Sequence, residues 1–426
     1  MVDFYPFKAI RYGIDAGLMS DLICPPYDVI SQDQEAALLR RNPNNMVRLE
    51  LSELGSEPQA NRYSDAASAF QKMQDTQVLV QDETESYYIL RQKFLSKGFT
   101  KERIAILGVL RLEELGENVL PHENTAPGPK EDRLALMQAT NANFSPLMML
   151  YQDPDQIITT LIKSIVVKVP TADFIADDIG YTLWTVTAQA EIDLIRGVLE
   201  KQQVYVADGH HRYETALIHA KDAASTKNHP ANFMLTALID FEDEGLEILP
   251  YYRVIHSASE AELKKIRELL NALFVSRPLG IDDYSADVLD SIVATIGQNQ
   301  VVLGVVEKNL SPVLLTPAND IIPEPDPDAT PQTQARSVEA FVIQEMILKP
   351  VFGENFADHV LYVHEGEEAI DIVNSGAGQV AFFIKGLPSE VFQAVVQAGI
   401  RLPRKSTYFS PKLPSGIAIN SLADLI

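Results

Sequence analysis

The sequence predicts a mixed α/β fold, with α and β segments around a mixed sheet, because strand-like and helix-like segments alternate along its 426 residues. Apolar runs such as 104–110 and 233–239 have the length and composition of buried strands. Between such runs lie segments with an apolar residue at every third or fourth position, which is typical of helices that bury one face. We therefore expect a sheet with helices packed against it.

The strands are predicted first. Residues 87–94 and 104–110 form neighbouring strands, because a turn containing Gly98 separates them. The remaining apolar runs predict further strands over 147–151, 204–207, 233–239, 301–306 and 379–384.

Two helices follow from periodic apolar residues. Glu262 stands three residues after Ser259, which is the spacing of a capping box at a helix start. Apolar residues then recur at helical spacing, at Leu263, Ile266, Leu270 and Leu273, and a second stripe comprises Ile192, Ile195, Val198 and Leu199. Both stripes predict helices that pack on a core.

The segment from Asp320 to Gln334 breaks this alternation. It contains Pro323, Pro325, Pro327 and Pro331 with acidic residues between them. Proline removes backbone donors and carboxylates favour water, so the segment is predicted to be a solvated loop or linker. We therefore expect a body over 1–318, a linker over 319–335 and a C-terminal α/β portion over 336–426.

Composition narrows the class of protein. Fifty-nine acidic and 35 basic side chains give a net charge of −24, which repels phosphate backbones, so we expect no nucleic-acid partner. No apolar run approaches the ~20 residues that a membrane helix requires, and the N-terminus has no basic or apolar leader. The single cysteine, Cys24, excludes an intramolecular disulfide framework and is predicted to be a buried apolar residue. We expect a cytoplasmic protein without a membrane partner.

The segment 204–217 carries the strongest functional signal. It predicts a strand, a sharp turn at Asp208 and Gly209, and a helix with Tyr213, Ala216, Leu217 and Ala220 on one face. Asp208 suits an N-cap, and Gly209 allows a close approach to a ligand. The exposed N–H groups of such a helix start favour an anion.

His210, His211 and Arg212 crowd this predicted helix start. Positive side chains are unfavourable at the positive end of a helix, which argues for a bound phosphate. A hydrogen-bonded surface turn is the alternative interpretation. His210 and Glu214 also stand four residues apart, as metal ligands on one helix face do, although no third ligand is near in sequence.

A second candidate loop runs from Leu120 to Arg133 and leads into a predicted helix. Its basic residues are His122, Lys130 and Arg133, and Thr125 and the Gly128 backbone could donate to phosphate oxygens. Glu123 could bind magnesium or accept a proton. The spacing is not that of a Walker A loop, and a purely structural loop is an equally good interpretation.

Two further segments complete the candidate residues. Pro25 and Pro26 fix the approach of Tyr27 and Asp28 in a rigid turn. Near the C-terminus, the segment 401–409 is a compact group of basic and hydroxyl residues that includes Lys405, Ser406 and Thr407.

Together these segments resemble a family catalogued as domain of unknown function 1015. The matching pieces are 6–11, 25–30, the loop 122–133, 207–216 and 405–409, and they span nearly the whole chain in the family's order. The Asp-Gly-His-His-Arg box at 208–212 also resembles the phosphate-binding signature of the ParB/sulfiredoxin-like fold, and free-serine kinases on that fold carry a similar box.

The resemblance implies a ParB/sulfiredoxin-like nucleotide-binding core with insertions and a C-terminal portion. It also implies a magnesium-dependent kinase that transfers a phosphoryl group from ATP or ADP to L-serine or another small hydroxyl compound. We expect Gly209, His211 and Arg212 to hold the phosphates, with His122, Thr125, Gly128, Lys130 and Arg133 as a clamp. Asp208, His210 and Glu123 are the catalytic candidates, Asp208 and Glu123 the magnesium ligands, and Tyr27, Asp28, Lys405, Ser406 and Thr407 the substrate-binding candidates.

A regulator that binds a nucleotide without turnover is the alternative function. DNA partitioning, the role of ParB proteins, is disfavoured by the acidic charge and by the lack of a convincing helix-turn-helix after the box.

Overall fold

A computed structural model describes residues 2–51, 62–96, 98–123, 128–223, 226–280 and 285–423. Its contacts divide the chain into two compact units. Unit 1 comprises Met1–Pro121, Thr125–Leu246 and Pro411–Ile426, and unit 2 comprises His122–Asn124 and Glu247–Ser410. The segment 319–335 lies within unit 2 and ends in a helix, and the predicted domain bounds at 318 and 336 stay a prediction.

Unit 1 is built on a large mixed sheet with helices. The strands of unit 1 before residue 246 are, in chain order, β1 (Phe4–Tyr5), β2 (Ile10–Tyr12), β3 (Leu79–Gln81), β4 (Tyr87–Ser96), β5 (Phe99–Arg111), β6 (Val119–Pro121), β7 (Ala142–Asn143), β8 (Leu147–Tyr151), β9 (Ala172–Ala176), β10 (Ile179–Val186), β11 (Val204–Asp208) and β12 (Phe233–Asp240). A short strand at Asn420–Ser421 pairs with β7. The α-helices of unit 1 are α1 (Met19–Leu22), α2 (Gln32–Arg41), α3 (Val47–Glu50), α4 (Arg62–Asp75), α5 (Gly128–Thr140), α6 (Ile157–Ile165), α7 (Gln189–Leu199) and α8 (His210–Ala223).

The strand order of this sheet is β6-β11-β8-β12-β5-β4-β10-β9, and β1 also pairs with β5. β6 is parallel to β11 and β8 is parallel to β12, whereas the remaining pairs are antiparallel. The sheet is therefore mixed, as the sequence predicts. Strand β4 runs two residues beyond its predicted end, and β5 begins five residues before its predicted start.

Unit 2 contains a second sheet. The strands of this unit are β13 (Glu247–Leu249), β14 (Tyr252–Ile255), β15 (Phe274–Pro278), β16 (Leu303–Glu307), β17 (Val313–Pro317), β18 (Val360–Val363), β19 (Val380–Phe383) and β20 (Tyr408–Ser410). Strands β13 and β20 pair with each other outside the second sheet. The α-helices of unit 2 are α9 (Glu260–Leu273), α10 (Ala286–Ile296), α11 (Pro331–Arg336), α12 (Glu339–Phe341), α13 (Lys349–Phe352), α14 (Gly366–Ser375) and α15 (Ser389–Gln397). A π-helical segment, Val342–Leu348, connects α12 to α13. The sheet order is β15-β17-β16-β19-β14-β18, with antiparallel pairing throughout.

Local signals in the sequence locate several of these elements. Ser259 caps α9, and both hydrogen bonds of its capping box with Glu262 are present. The predicted stripe of α7 buries Ile192, Ile195 and Leu199. Residues 320–330 are largely exposed, as predicted, but Thr330 caps the short helix α11 at the end of the predicted loop.

Cys24 is buried and free. Within the described ranges, no helix is both long and apolar enough to span a membrane.

Candidate functional site

The predicted strand–turn–helix is present in unit 1. Strand β11 is buried over Val204–Ala207 and lies between β6 and β8. Its register against β8 shifts between Val206 and Asp208, so the strand bulges just before the turn. Helix α8 begins at His210 and buries Tyr213, Ala216 and Ala220 in the core, as the spacing predicts.

Asp208 is not an N-cap. It is the last residue of β11. Its carboxylate accepts hydrogen bonds from the side chains of Arg212 and Lys412. Arg212 Nη2 donates to Oδ2 at 2.6 Å, and the ammonium group of Lys412 donates to Oδ1. The three side chains are 16%, 8% and 10% exposed for Asp208, Arg212 and Lys412, so this ion-pair cluster is largely screened from water.

The charge of this cluster explains the ionisation of Asp208. Burial raises the pKa of the carboxyl group, but the charges of Lys412 and Arg212 outweigh it and hold the pKa well below its usual range. The Asp208 carboxylate therefore offsets part of the positive charge at the start of α8. The cations clustered there do not by themselves require a bound phosphate. The three side chains together carry one net positive charge, and the carboxylates of Asp28 and Glu50 also act on Arg212.

Gly209 is required by the backbone and by the close packing at this turn. Its φ is +96°, which favours glycine. A Cβ atom at this position would lie 2.9 Å from a Leu147 methyl carbon and 3.0 Å from Arg212 Nη2. The glycine therefore lets the guanidinium of Arg212 lie against the turn.

The two basic clamp residues on α5, Lys130 and Arg133, contact different parts of unit 1. Lys130 Nζ lies 2.5 Å from Glu214 Oε2 and so connects α5 to α8. Arg133 Nη1 donates to Glu50 Oε2 at 3.1 Å, and its Nη2 donates to the Glu50 carbonyl at 3.0 Å. Each cation thus has a carboxylate partner within the unit.

Arg133 and Arg212 also line one small cavity of about 40 Å³ together with the predicted substrate residue Tyr27. The Arg133 guanidinium lies 4.1 Å from the centre of the Tyr27 ring. Glu50, Asn143 and Ser145 complete the polar lining, and Asn143 Nδ2 is buried with no hydrogen-bond partner among the described residues. A cavity of this size holds a water molecule or a single polar group, not a nucleotide.

Five other predicted residues belong to unit 1, namely Asp28, Thr125, Gly128, His210 and His211. Asp28 is exposed, and its charge contributes to raising the pKa of Arg212 against the opposing effect of burial. His210 is buried and His211 is half-buried at the first turn of α8. Gly128 begins α5, whereas Thr125 lies outside the described residues.

The remaining predicted residues belong to unit 2. His122 Nε2 is 2.8 Å from Thr407 Oγ1, and Ser406 Oγ donates to the Pro403 carbonyl at 2.6 Å. Glu123 Oε2 accepts from the Lys405 backbone N–H at 3.1 Å. These contacts support the turn at 403–407, so the two hydroxyl groups already have partners inside the unit. The predicted clamp therefore draws its residues from both units.

Two central residues, Lys412 and Glu50, were absent from the sequence prediction. Lys412 reaches Asp208 because residues 411–426 return to unit 1 after unit 2, and no local pattern indicates that return. Glu50 is 4% exposed and accepts hydrogen bonds from Arg133, Ser145 and Ser415, all distant in sequence. In the sequence it follows Leu49 and resembles an ordinary acidic residue at a helix end.

The site does not fit a magnesium ion held by side chains. Within the part of the chain that the structure describes, no group of three His, Cys, Asp or Glu side chains could hold a metal ion. Asp208, a predicted ligand, is already matched by two cations, and Glu123 lies in the other unit.

Comparison with known proteins identifies a family. A family described as "Protein of unknown function (DUF1015)" matches residues 4–339. A comparison with curated proteins gave no match.

Several solved structures are similar over part of the chain. A conserved hypothetical protein from Pyrococcus furiosus is 14% identical, with 72% of this chain and 94% of that chain covered and a TM-score of 0.36. A free serine kinase in complex with AMP is 12% identical, with 74% and 100% covered and a TM-score of 0.36. SbnI from Staphylococcus aureus, with a C-terminal truncation, is 10% identical, with 74% and 88% covered and a TM-score of 0.38. At these TM-scores the likeness is partial, and the chemistry of the site rests on this chain's own residues.

Proposed function

We propose, from the premise that this chain belongs to the DUF1015 family of proteins of unknown function, that it is a small-molecule kinase. It would bind ATP or ADP at the start of α8 and transfer a phosphoryl group to free L-serine or a related hydroxyl compound. We also propose that unit 1 contains a ParB/sulfiredoxin-like core and that the protein acts in the cytoplasm.

The observation that carries the proposal is the cluster of Asp208, Arg212 and Lys412. Two buried cations share one carboxylate at the start of a helix that follows a buried strand. Such a cluster is preorganised and net positive, which suits the phosphate groups of a nucleotide. Phosphoryl transfer needs mainly positioning and charge neutralisation, and both are properties of this cluster.

The residue roles follow from their contacts. The backbone of Gly209 to His211 and the Arg212 guanidinium would face the phosphates, with Lys412 as a second cation. Asp208 suits a positioning role, because its lowered pKa makes it a weak base and its two ion pairs orient Arg212 and Lys412. His210, at the start of α8, stays a candidate for proton transfer to or from the acceptor. A magnesium ion would arrive with the nucleotide phosphates and keep most of its waters.

The same observation on Asp208 favours a second candidate function. If the carboxylate cannot act as a base, the site can still bind a nucleotide, and the protein would then be a nucleotide-binding regulator without turnover. Product formation separates the two functions, because a regulator binds ATP or ADP and releases nothing.

Nucleotide titration of variants tests the binding half of the proposal. Arg212→Ala removes charge-assisted hydrogen bonds and should weaken ADP and ATP binding at least ~10-fold, as expected for a loss of about 1.5–3 kcal/mol. Arg212→Lys should retain part of the affinity. Lys221→Ala is the matched control, since Lys221 lies on the same helix with an exposed ion pair. Unchanged affinity in folded Arg212→Ala protein would remove the phosphate assignment.

A further inference from the structure

A second and larger cleft in unit 1 contains none of the residues of the Asp208 cluster. Its volume is about 490 Å³, within the usual range for small-molecule sites. Six of its lining residues come from β1, the end of β5, the start of β12 and α7, and the other seven come from connecting segments. Both arginines of the cleft are placed by a strand or a helix.

Three cations line this cleft in a strongly acidic chain. They are Lys8, Arg111 and Arg196. Since acidic side chains exceed basic ones by 24 in the whole chain, a surface that brings three basic side chains together is unusual for it. Glu83 and Glu85 also line the cleft, so its lining carries three positive and two negative side chains.

Each of the two arginines contacts an aromatic ring. The Arg196 guanidinium lies 4.7 Å from the centre of the Tyr5 ring, and the Arg111 guanidinium lies 4.5 Å from the centre of the Phe233 ring. The two rings meet edge to face at 5.7 Å. This alternating arrangement restricts the guanidinium groups, so less conformational entropy is lost when they bind an anion.

The two arginines differ in how far they are already engaged. Arg111 Nε donates to Asp3 Oδ2 at 2.8 Å, which neutralises part of its charge, and Nη1 donates to the Lys227 carbonyl at 2.5 Å. Arg196 is exposed on the last turn of α7, and its guanidinium contacts the Tyr5 ring. Among the described residues, no carboxylate lies within 4 Å of its nitrogen atoms. Arg196 is the group best placed to receive an acid.

We propose that this cleft binds a small organic acid, with its carboxylate or phosphate group on Arg196 and Arg111. The two glutamates disfavour highly charged polyanions, so the ligand is a mono- or dianion and not a polyphosphate. This site is separate from the proposed nucleotide site, and the proposal does not rest on the kinase function.

Equilibrium dialysis with radiolabelled succinate and with radiolabelled inorganic phosphate tests the proposal. We expect wild-type protein to bind at least one probe and Arg196→Ala to bind it about fivefold more weakly, which corresponds to about 1 kcal/mol for an exposed charge. Arg40→Ala is the matched control, because Arg40 is also an exposed arginine in the last turn of a helix and does not line the cleft. Binding of succinate alone identifies a carboxylate ligand, and binding of phosphate alone a phosphate monoester.

A charge variant provides the reciprocal test. Replacing both Glu83 and Glu85 by Gln should raise the affinity of the same probe at least twofold, since it removes like-charge repulsion. The proposal is overturned if neither probe binds wild-type protein, or if Arg196→Ala and Arg40→Ala bind the probe equally well.

Discussion

Removal of the Lys412 ammonium group is the most direct perturbation of the ion-pair cluster. Lys412→Met keeps the apolar stem of the side chain and leaves its backbone carbonyl free to accept from Gln92, as it does in the wild type. Among the described residues, Asp208 would then retain Arg212 as its ion-pair partner, at 2.6 Å. Removing one partner of a buried ion pair costs about 3–5 kcal/mol. Because Arg212 remains and Asp208 is partly exposed, we expect a loss of about 2 kcal/mol in the free energy of unfolding at pH 7.

The assay is urea unfolding followed by tryptophan fluorescence. Trp184 is the only tryptophan of the chain and lies buried in β10, so its signal reports on unit 1. Lys221→Met is the control, because its exposed ion pair with Glu114 contributes below about 1 kcal/mol. A Lys412→Met variant as stable as this control would refute the assigned cluster.

The dependence on pH gives a second readout of the same variant. The folded pKa of Asp208 is lowered, so its ionised form stabilises the protein above the unfolded value of 3.8. This stabilisation is lost as the pH falls below 3.8 toward the folded pKa. The difference between wild type and Lys412→Met should therefore be full at pH 7 and smaller at pH 3. A difference that grows on acidification would contradict the assigned ionisation.

Three other substitutions follow, each measured by the same fluorescence unfolding. Gly209→Ala forces a side chain onto a φ of +96° and against Arg212, so it should cost about 1–2 kcal/mol, and an unchanged transition would contradict the described turn. Glu50→Gln removes the buried carboxylate beside Arg133, which keeps Asp132 as a partner at 2.5 Å, so it should cost about 2 kcal/mol, whereas a loss below 1 kcal/mol would show that the pair is not buried in solution. Burial raises the pKa of Asp243 to about 6, so its contribution to stability falls as the pH rises from 3.8 through 6. Asp243→Asn should therefore gain about 2 kcal/mol relative to wild type between pH 4 and pH 7, and parallel pH profiles would exclude this shift.

Sequence patterns located the elements of this fold well where the signal is local. The strand over 147–151 has its predicted bounds, and the capping box at Ser259 and Glu262 starts α9 as expected. The end of the proline-rich loop was predicted less accurately. The predicted loop extends to Gln334, but helix α11 begins within it at Pro331, with Thr330 as its cap. Prolines at the first turn of a helix are tolerated, so Pro331 does not end a helix but begins one.

The candidate site was only partly predictable, because its partners are distant along the chain. Arg212, Arg133 and Tyr27 come from three predicted segments and line one cavity. The carboxylate of Asp208 was predicted to cap a helix, but it pairs with Lys412, which lies 204 residues further along the chain. Such long-range ion pairs leave no periodic trace in a sequence, and only the folded chain brings them together.

Product formation tests the proposed kinase most directly. Purified protein would be incubated with L-serine, magnesium, and ATP or ADP, with magnesium omitted in one arm, and the products read by mass spectrometry. We predict phosphoserine with wild-type protein and with Lys221→Ala, and its loss with Arg212→Ala. Nucleotide binding by wild-type protein without any phosphorylated product would contradict the kinase and leave the regulator.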